Sequence, residues 1–163
     1  LPEDRRQEFN GLIDIVMEFR QQRVGTVAAG GSGRICSRCG GECCRYGRYH
    51  VTVLAIAAYI RCGIAPVDPN FSSRSACPYS DASGCLIPPG FRPVTCVIFN
   101  CELIHDRLTQ DQESRLHSLE QHLREAVTTL CRTFGGFLNR PLLLNEQNQT
   151  PDSHKDSCND RKQ

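Results

Sequence analysis

The chain has 163 residues, which suits a single domain with a core of moderate size. Its 19 basic and 18 acidic side chains leave a formal charge of +1, so the charge balance favours neither nucleic acid nor an anionic membrane as a partner. No apolar run approaches the roughly 18 residues that a membrane-spanning helix requires. The charged N-terminus lacks the apolar centre of a signal peptide, and we therefore predict a cytoplasmic protein.

The eleven cysteines are the outlying feature of this composition. In a secreted protein they would favour a disulfide framework, but the count is odd, the thiols are clustered and no export signal is visible. Clustered thiols in a reducing cytosol bind metal more often than they pair, so metal binding is the prediction. Disulfides and unliganded thiols are the alternatives.

Residues 1–33 are predicted to form an N-terminal helix followed by a glycine-rich linker. Apolar residues recur at helical spacing between residues 3 and 24, and residues 20–23 are predicted to be the polar end of that helix. Four glycines in residues 25–34 predict a break before the first cysteine. A phosphate-binding loop is excluded in this segment because it has no G-K-[S/T] sequence. The helix either packs on the domain or binds a partner.

Residues 34–105 are predicted to form a cysteine-cluster metal-binding domain. The cluster begins with C-S-R-C-G-G-E-C-C, continues with C-P-Y-S-D-A-S-G-C and ends with C-V-I-F-N-C. Two residues between thiols allow both sulfurs to face one ion. Adjacent Cys43 and Cys44 point in different directions, so one of them is expected to serve a second ion, to bridge, or to remain a packed thiol. The four arginines around the first group either form a solvated rim or offset thiolate charge; they are Arg34, Arg38, Arg45 and Arg48.

Local patterns within this region predict short elements. Residues 49–62 are predicted to start extended and to become a short buried helix that ends at Gly63, with Cys62 as a buried apolar side chain. His50 is a weaker candidate ligand, since a lone histidine is more often structural. The stretch from Cys77 to Cys85 predicts a tight hairpin, and a short helix is predicted to begin near Cys96.

Residues 106–144 are predicted to form a C-terminal helix that packs on the same domain. Leucines at helical spacing define its long part, residues 110–134, and Thr109 with Gln112 predicts a capping box. This helix and the N-terminal one are expected to pack together, and a homodimer or another protein partner through either amphipathic helix is an alternative. Residues 145–163 are polar and are predicted to be a disordered tail, in which His154 and Cys158 are not expected to bind metal. The predicted fold is thus mainly α with irregular metal-stabilised loops, and has two long flanking helices around a cysteine-cluster core.

The order of the cysteine motifs resembles that of the YkgJ-type cysteine-cluster family, which is described as a zinc- or iron-chelating domain. The matched pieces cover about residues 34–105, with Glu42 as an added residue and Asn100 where proline is expected before the last cysteine. The resemblance implies that the metal, zinc or iron, is held by eight ligands. These are Cys36, Cys39, Cys43, Cys44, Cys77, Cys85, Cys96 and Cys101.

Two function classes follow from this pattern. One is a metal-binding protein in which thiolate-bound zinc holds the fold together. The other is an iron–sulfur protein with a [4Fe–4S] cluster, either an electron carrier or a protein-modifying enzyme, because a flagellin lysine N-methylase group carries a similar cluster. A thiol oxidoreductase built on Cys36 and Cys39 is disfavoured because the thioredoxin-like context is missing, and common hydrolase motifs are absent. No catalytic residue is assigned.

Overall fold

The structure is a computed structural model that describes residues 1–39, 41–72 and 76–143. Six α-helices occur in this part of the chain: α1 (Glu3–Ala29), α2 (Ser32–Cys39), α3 (Val53–Cys62), α4 (Val94–Ile98), α5 (Glu102–His105) and α6 (Gln110–Phe134). Short 3-10 helices cover Glu42–Tyr46, Pro89–Phe91 and Gly136–Asn139, and β1 (Ser80–Asp81) pairs with β2 (Gly84–Cys85) in an antiparallel hairpin. None of the described helices is long and apolar enough to cross a membrane. The predicted tail, residues 145–163, lies outside the described residues.

The two long helices, α1 and α6, pack against each other as predicted. Helix α6 begins with the predicted capping box, in which the Thr109 hydroxyl accepts from the Gln112 backbone N–H and the Gln112 side chain accepts from the Thr109 backbone N–H. Its buried stripe is the predicted one: Leu116, Leu119, Leu123, Val127 and Leu130. The pattern in the sequence therefore specified this helix completely.

The predicted glycine-rich linker is wrong. Helix α1 continues through Gly25 to Ala29, because Val27 is buried in a small apolar cluster with Ile104 and Leu116. One glycine inside a helix costs only about 1 kcal/mol relative to alanine, which the packing of a single buried valine offsets. The break is confined to Gly30 and Gly31, and α2 begins directly afterwards.

The prediction of irregular loops around the cysteines is also wrong for most of the cluster. Cys36 and Cys39 lie in α2, Cys43 and Cys44 lie in the 3-10 helix that follows, and Cys96 lies in α4. The hairpin before Cys85 and the short helix at residue 94 are confirmed. Whether a metal stabilises these elements is a separate matter and stays a prediction.

A single large core joins the segments on both sides of the cysteine region. Its buried residues come from α1, α3, α4, α6 and the hairpin region, and the 3-10 helix after α6 adds Leu138. The chain returns to α3 after α6, where Thr52 bridges Pro141 and the Leu142 N–H donates to the Val51 carbonyl at 2.7 Å. Cys62 is exposed rather than buried, because it lies in the last turn of α3, beyond the edge of this core.

Candidate metal centre

All ten cysteines that the structure describes are free thiols. Among these residues, then, nothing favours the disulfide alternative. Two of the ten, Cys62 and Cys131, stand apart from the predicted cluster in sequence, and the other eight are the predicted ligands. The electrostatic interactions of those eight thiols indicate two overlapping sets, which share the 3-10 helix that carries Cys43 and Cys44.

The first set consists of Cys36, Cys39, Cys43 and Cys101. Burial raises the pKa of Cys36, and the negative charges of Cys43, Cys39 and Cys101 raise it further. Burial likewise raises the pKa of Cys43, followed by the charges of Cys101 and Cys39. Cys36 and Cys101 also border the apolar cluster of Val27, so these two thiols sit where α2 and the start of α5 meet α1.

The second set consists of Cys44, Cys77, Cys85 and Cys96. Burial raises the pKa of Cys44 to about 12, and the charges of Cys43, Cys77, Cys36 and Cys85 raise it further. Burial also raises the pKa of Cys96 to about 12, followed by the charges of Cys85 and Cys77 and, more weakly, of Cys43. Some of these interactions therefore connect the two sets. Cys77 is itself buried at the edge of the main core. The set therefore joins the 3-10 helix at residue 42, the hairpin and α4.

Cys96 combines an exposed residue surface with a closely surrounded sulfur atom. The residue as a whole is exposed, yet its thiol donates to the Gly47 carbonyl at 3.7 Å, and a Cβ atom at Gly47 would lie only 2.5 Å from the sulfur. These contacts explain why desolvation dominates its pKa although part of the residue faces solvent. The sulfur atom of Cys96 is therefore more enclosed than the residue as a whole.

The two sets meet at the adjacent residues Cys43 and Cys44. The Cys44 side chain forms a hydrogen bond that lowers the pKa of Cys43, and a second hydrogen bond between Cys43 and Cys101 raises it. These directions are those expected if Cys44 donates to Cys43 and Cys43 donates to Cys101. Whether one of the two thiols serves a second ion, bridges two ions or remains a packed thiol stays a prediction.

Proximity of the thiols is not the same as a formed coordination sphere. Within the described residues, no group of three or more His, Cys, Asp or Glu side chains is placed to hold a metal ion. The donor chemistry nevertheless fits a soft or borderline metal, since thiolates are the preferred ligands of zinc and of iron–sulfur clusters. His50 adds a buried Nδ1 atom without a hydrogen-bond partner in the described part of the chain, but neither thiol set includes it.

Arg20 is a buried cation that interacts with this centre. Its side chain is fully buried, and it makes one long hydrogen bond, from Nη1 to the Gly90 carbonyl at 3.4 Å. Nε and Nη2 have no partner among the described residues. Burial lowers the pKa of Arg20 to about 10, while the charge of Cys96 raises it. A thiolate at Cys96 would therefore supply part of the negative charge that this guanidinium lacks.

Arg23, one turn further along α1, is buried and well satisfied. Its Nε donates to the Val97 carbonyl at 3.0 Å and its Nη2 to the Ile98 carbonyl at 2.9 Å, while Nη1 donates to the Leu116 carbonyl. The same side chain forms a 3.1 Å ion pair with Glu120. Arg23 thus fixes α4, and with it the backbone that carries Cys96, to both long helices.

The sequence predicted a polar helix end at Arg20 and Arg23, with Arg20 also an alternative to Phe19 on the apolar face; the polar end is wrong because both side chains are buried. The signal was present, because the buried positions of α1 follow alternating steps of three and four residues: Ile13, Val16, Arg20, Arg23 and Val27. Other cations nearby are Arg92, whose charge lowers the pKa of Cys36 and Cys96, and Arg48, whose charge lowers that of Cys77. For Arg34, Arg38, Arg45 and Arg48 the sequence left open a solvated rim or an offset of thiolate charge, and Arg48 shows an interaction of the second kind in the described structure.

Comparisons with protein-family models, with curated proteins and with solved structures each found no match. The resemblance to the YkgJ-type family therefore remains a prediction that rests on the cysteine spacing alone.

Proposed function

We propose that this chain is a metal-binding protein that holds two ions, each through four cysteine thiolates. The observation that supports the proposal is the electrostatic interaction among the eight thiols, from which we infer two sets of four. Four thiolates are the donor set of a closed, tetrahedral zinc site, which contributes directly to folding. Zinc is therefore the ion we propose, and the cytoplasm is the reducing compartment in which such thiols stay free to bind it.

The raised pKa values are consistent with this function. Burial and neighbouring negative charge disfavour the thiolate form of Cys36, Cys43, Cys44, Cys77 and Cys96 in the metal-free protein, and a bound cation would remove that penalty. Four thiolates around one divalent cation leave a formal charge of −2. Arg20, Arg48 and Arg92 are the cations that would offset it, with Arg20 and Arg92 near Cys96 and Arg48 near Cys77.

Elemental analysis of protein purified without oxygen tests the proposal. We expect a colourless protein with about two zinc ions per chain. Cys39→Ser should remove one ion and Cys77→Ser the other, whereas Cys62→Ser, which replaces an exposed thiol outside both sets, should retain both.

Three outcomes would count against zinc in these sets. A brown protein with absorbance near about 400 nm would establish the iron–sulfur alternative on the same thiols. Protein that binds no metal would remove the proposal altogether. Equal loss of zinc from the Cys62 and Cys39 variants would show that the assignment of ligands is wrong.

A further inference from the structure

A second polar site lies where α1 ends, α2 begins and the turn after α5 approaches them. It is a pocket of about 200 Å³. Its lining is Gly30, Gly31, Arg34, Ile35, Arg38 and Arg107. Three of these six residues are arginines and none carries a carboxylate. The charge inside this pocket is therefore of one sign.

Gly30 and Gly31 have no side chains, so the backbone itself lines this side of the pocket, called its floor below. Gly31 has φ of 86°, a conformation that favours glycine, and a side chain at Gly30 would approach Leu108 Cδ2 at 3.1 Å and the Val27 carbonyl at 3.3 Å. Helix α2 starts immediately afterwards, so the positive end of its dipole is at this floor. The N–H groups of Gly30 and Gly31 already donate to the Val27 and Ala28 carbonyls. The N–H groups of Ser32 and Gly33 at the start of α2 have no backbone acceptor in the described part of the chain, and such groups are suited to an anion.

The three guanidinium groups have no protein partner in the part of the chain that the structure describes. Arg34 and Arg38 are four residues apart on one face of α2, where like charges destabilise a helix, and Arg107 adds a third positive charge from another segment. Elsewhere on the surface, Arg61 and Arg124 pair with Asp14 and Glu120. The nearby carboxylates of α5 and its C-cap, Glu102 and Asp106, are not among the residues that line the pocket.

We propose that this pocket binds a phosphate group, either as the free dianion or as a phosphate monoester. The planar fork of each arginine matches two phosphate oxygens, and a bound dianion would relieve the repulsion between three neighbouring cations. The pocket is independent of the thiol ligands, although α2 carries both. Arg34 and Arg38 would thus have a role beyond the two alternatives of a solvated rim and an offset of thiolate charge.

Calorimetric and NMR titration of the 163-residue chain as purified tests this site. Inorganic phosphate and O-phosphoserine are added in separate titrations at constant ionic strength, with chloride as the reference anion. We expect saturable binding that shifts the amide signals of Gly30, Gly31 and Ser32. Tighter binding of O-phosphoserine would identify a monoester as the ligand, and equal binding would identify phosphate itself.

Variants of exposed arginines separate this site from general charge attraction. Arg34→Gln and Arg107→Gln, which lie on different elements, should each weaken binding about tenfold, as expected for the loss of a charge-assisted hydrogen bond. Arg34→Lys, which keeps the charge but loses the fork, should give an intermediate affinity. Arg132→Gln, in the last turn of α6, should have no effect. Equal weakening by Arg132→Gln, or no saturation by either ligand, would overturn the proposal.

Discussion

The Gly47 carbonyl accepts a hydrogen bond from the Cys96 thiol at 3.7 Å, and this contact joins the end of the 3-10 helix at residue 42 to helix α4. A Cβ atom at position 47 would lie 2.5 Å from the sulfur. The backbone at Gly47 thus fixes the position of the Cys96 sulfur, a candidate metal ligand.

Gly47→Ala is expected to weaken metal binding at the second thiol set. The new methyl group must displace the Cys96 sulfur, while the backbone angle of Gly47, φ −100°, suits alanine. Zinc affinity, measured by competition with a chromophoric chelator, should fall about tenfold. This is the lower end of the loss in metal affinity that is usual when a group that orients a metal ligand is changed. The matched control is Gly33→Ala, where an added Cβ has nothing within 4 Å. Equal affinity in the two variants would contradict a ligand role for Cys96.

Arg20→Met is expected to separate stability from metal affinity. Methionine fills a similar volume without burying a charge that has two unpartnered nitrogens, so the metal-free variant should be as stable as the native chain or more stable by about 1 kcal/mol. Loss of the cation beside Cys96 should lower zinc affinity about tenfold. Urea denaturation and chelator competition measure the two quantities. A variant that loses stability and keeps its affinity would show that Arg20 is only a packing residue.

Arg23→Met, in contrast to Arg20→Met, is expected to lower the stability of the protein. It removes donors to the Val97, Ile98 and Leu116 carbonyls and leaves Glu120 without its buried partner. The free energy of unfolding, measured by urea denaturation, should fall by about 3–5 kcal/mol. Arg124→Met is the control, because Arg124 contacts the same carboxylate from an exposed position and such pairs contribute at most about 1 kcal/mol. Similar losses in both variants would mean that the carbonyl contacts of Arg23 contribute little.

The stability of the protein should depend on pH in opposite ways with and without metal. In the metal-free protein, burial raises the pKa of Cys44 and Cys96 from 9.0 to about 12. Above pH 9 the unfolded thiols lose protons that the folded ones keep, so stability is complete below pH 9 and falls as the pH rises towards 12. Arg20, whose pKa is lowered to about 10, contributes in the opposite sense above that pH. The decline should therefore be clearest between pH 9 and pH 10.

With zinc bound, the thiolates are already deprotonated, so acid rather than alkali should destabilise the protein. Thermal melting across pH 5–10, with and without a chelator, compares the two forms. Identical pH profiles for both would count against metal binding by these thiols.

The scaffold could be predicted from sequence wherever periodicity and capping agree. Helix α6 satisfies both signals, and its capping box at Thr109 and its leucine stripe are those of the structure. The end of α1 could not be placed in this way, because local glycine content argues for a break while the burial of Val27 against Ile104 and Leu116 depends on distant residues. Tertiary packing decides in such a case.

The candidate site was predictable in its residue types but not in its surroundings. Clustered cysteines pointed to thiolate chemistry, yet which thiols lie near one another depends on where α2, the hairpin and α4 meet. Arg20 was misplaced because a charge in an apolar stripe is normally assigned to the surface. The group whose negative charge favours the charged form of Arg20 is Cys96, which is distant in the sequence.

The carbonyl contacts of Arg23 have a consequence for dissecting this protein into pieces. Residues 97, 98 and 116 are held by one side chain of the first helix, so a peptide limited to residues 34–105 would contain all eight thiols but neither the guanidinium nor the Leu116 carbonyl. Such an excised peptide would have the ligands without the frame that orients them. Reconstitution with metal should therefore succeed far better on the 163-residue chain than on its cysteine-rich middle segment.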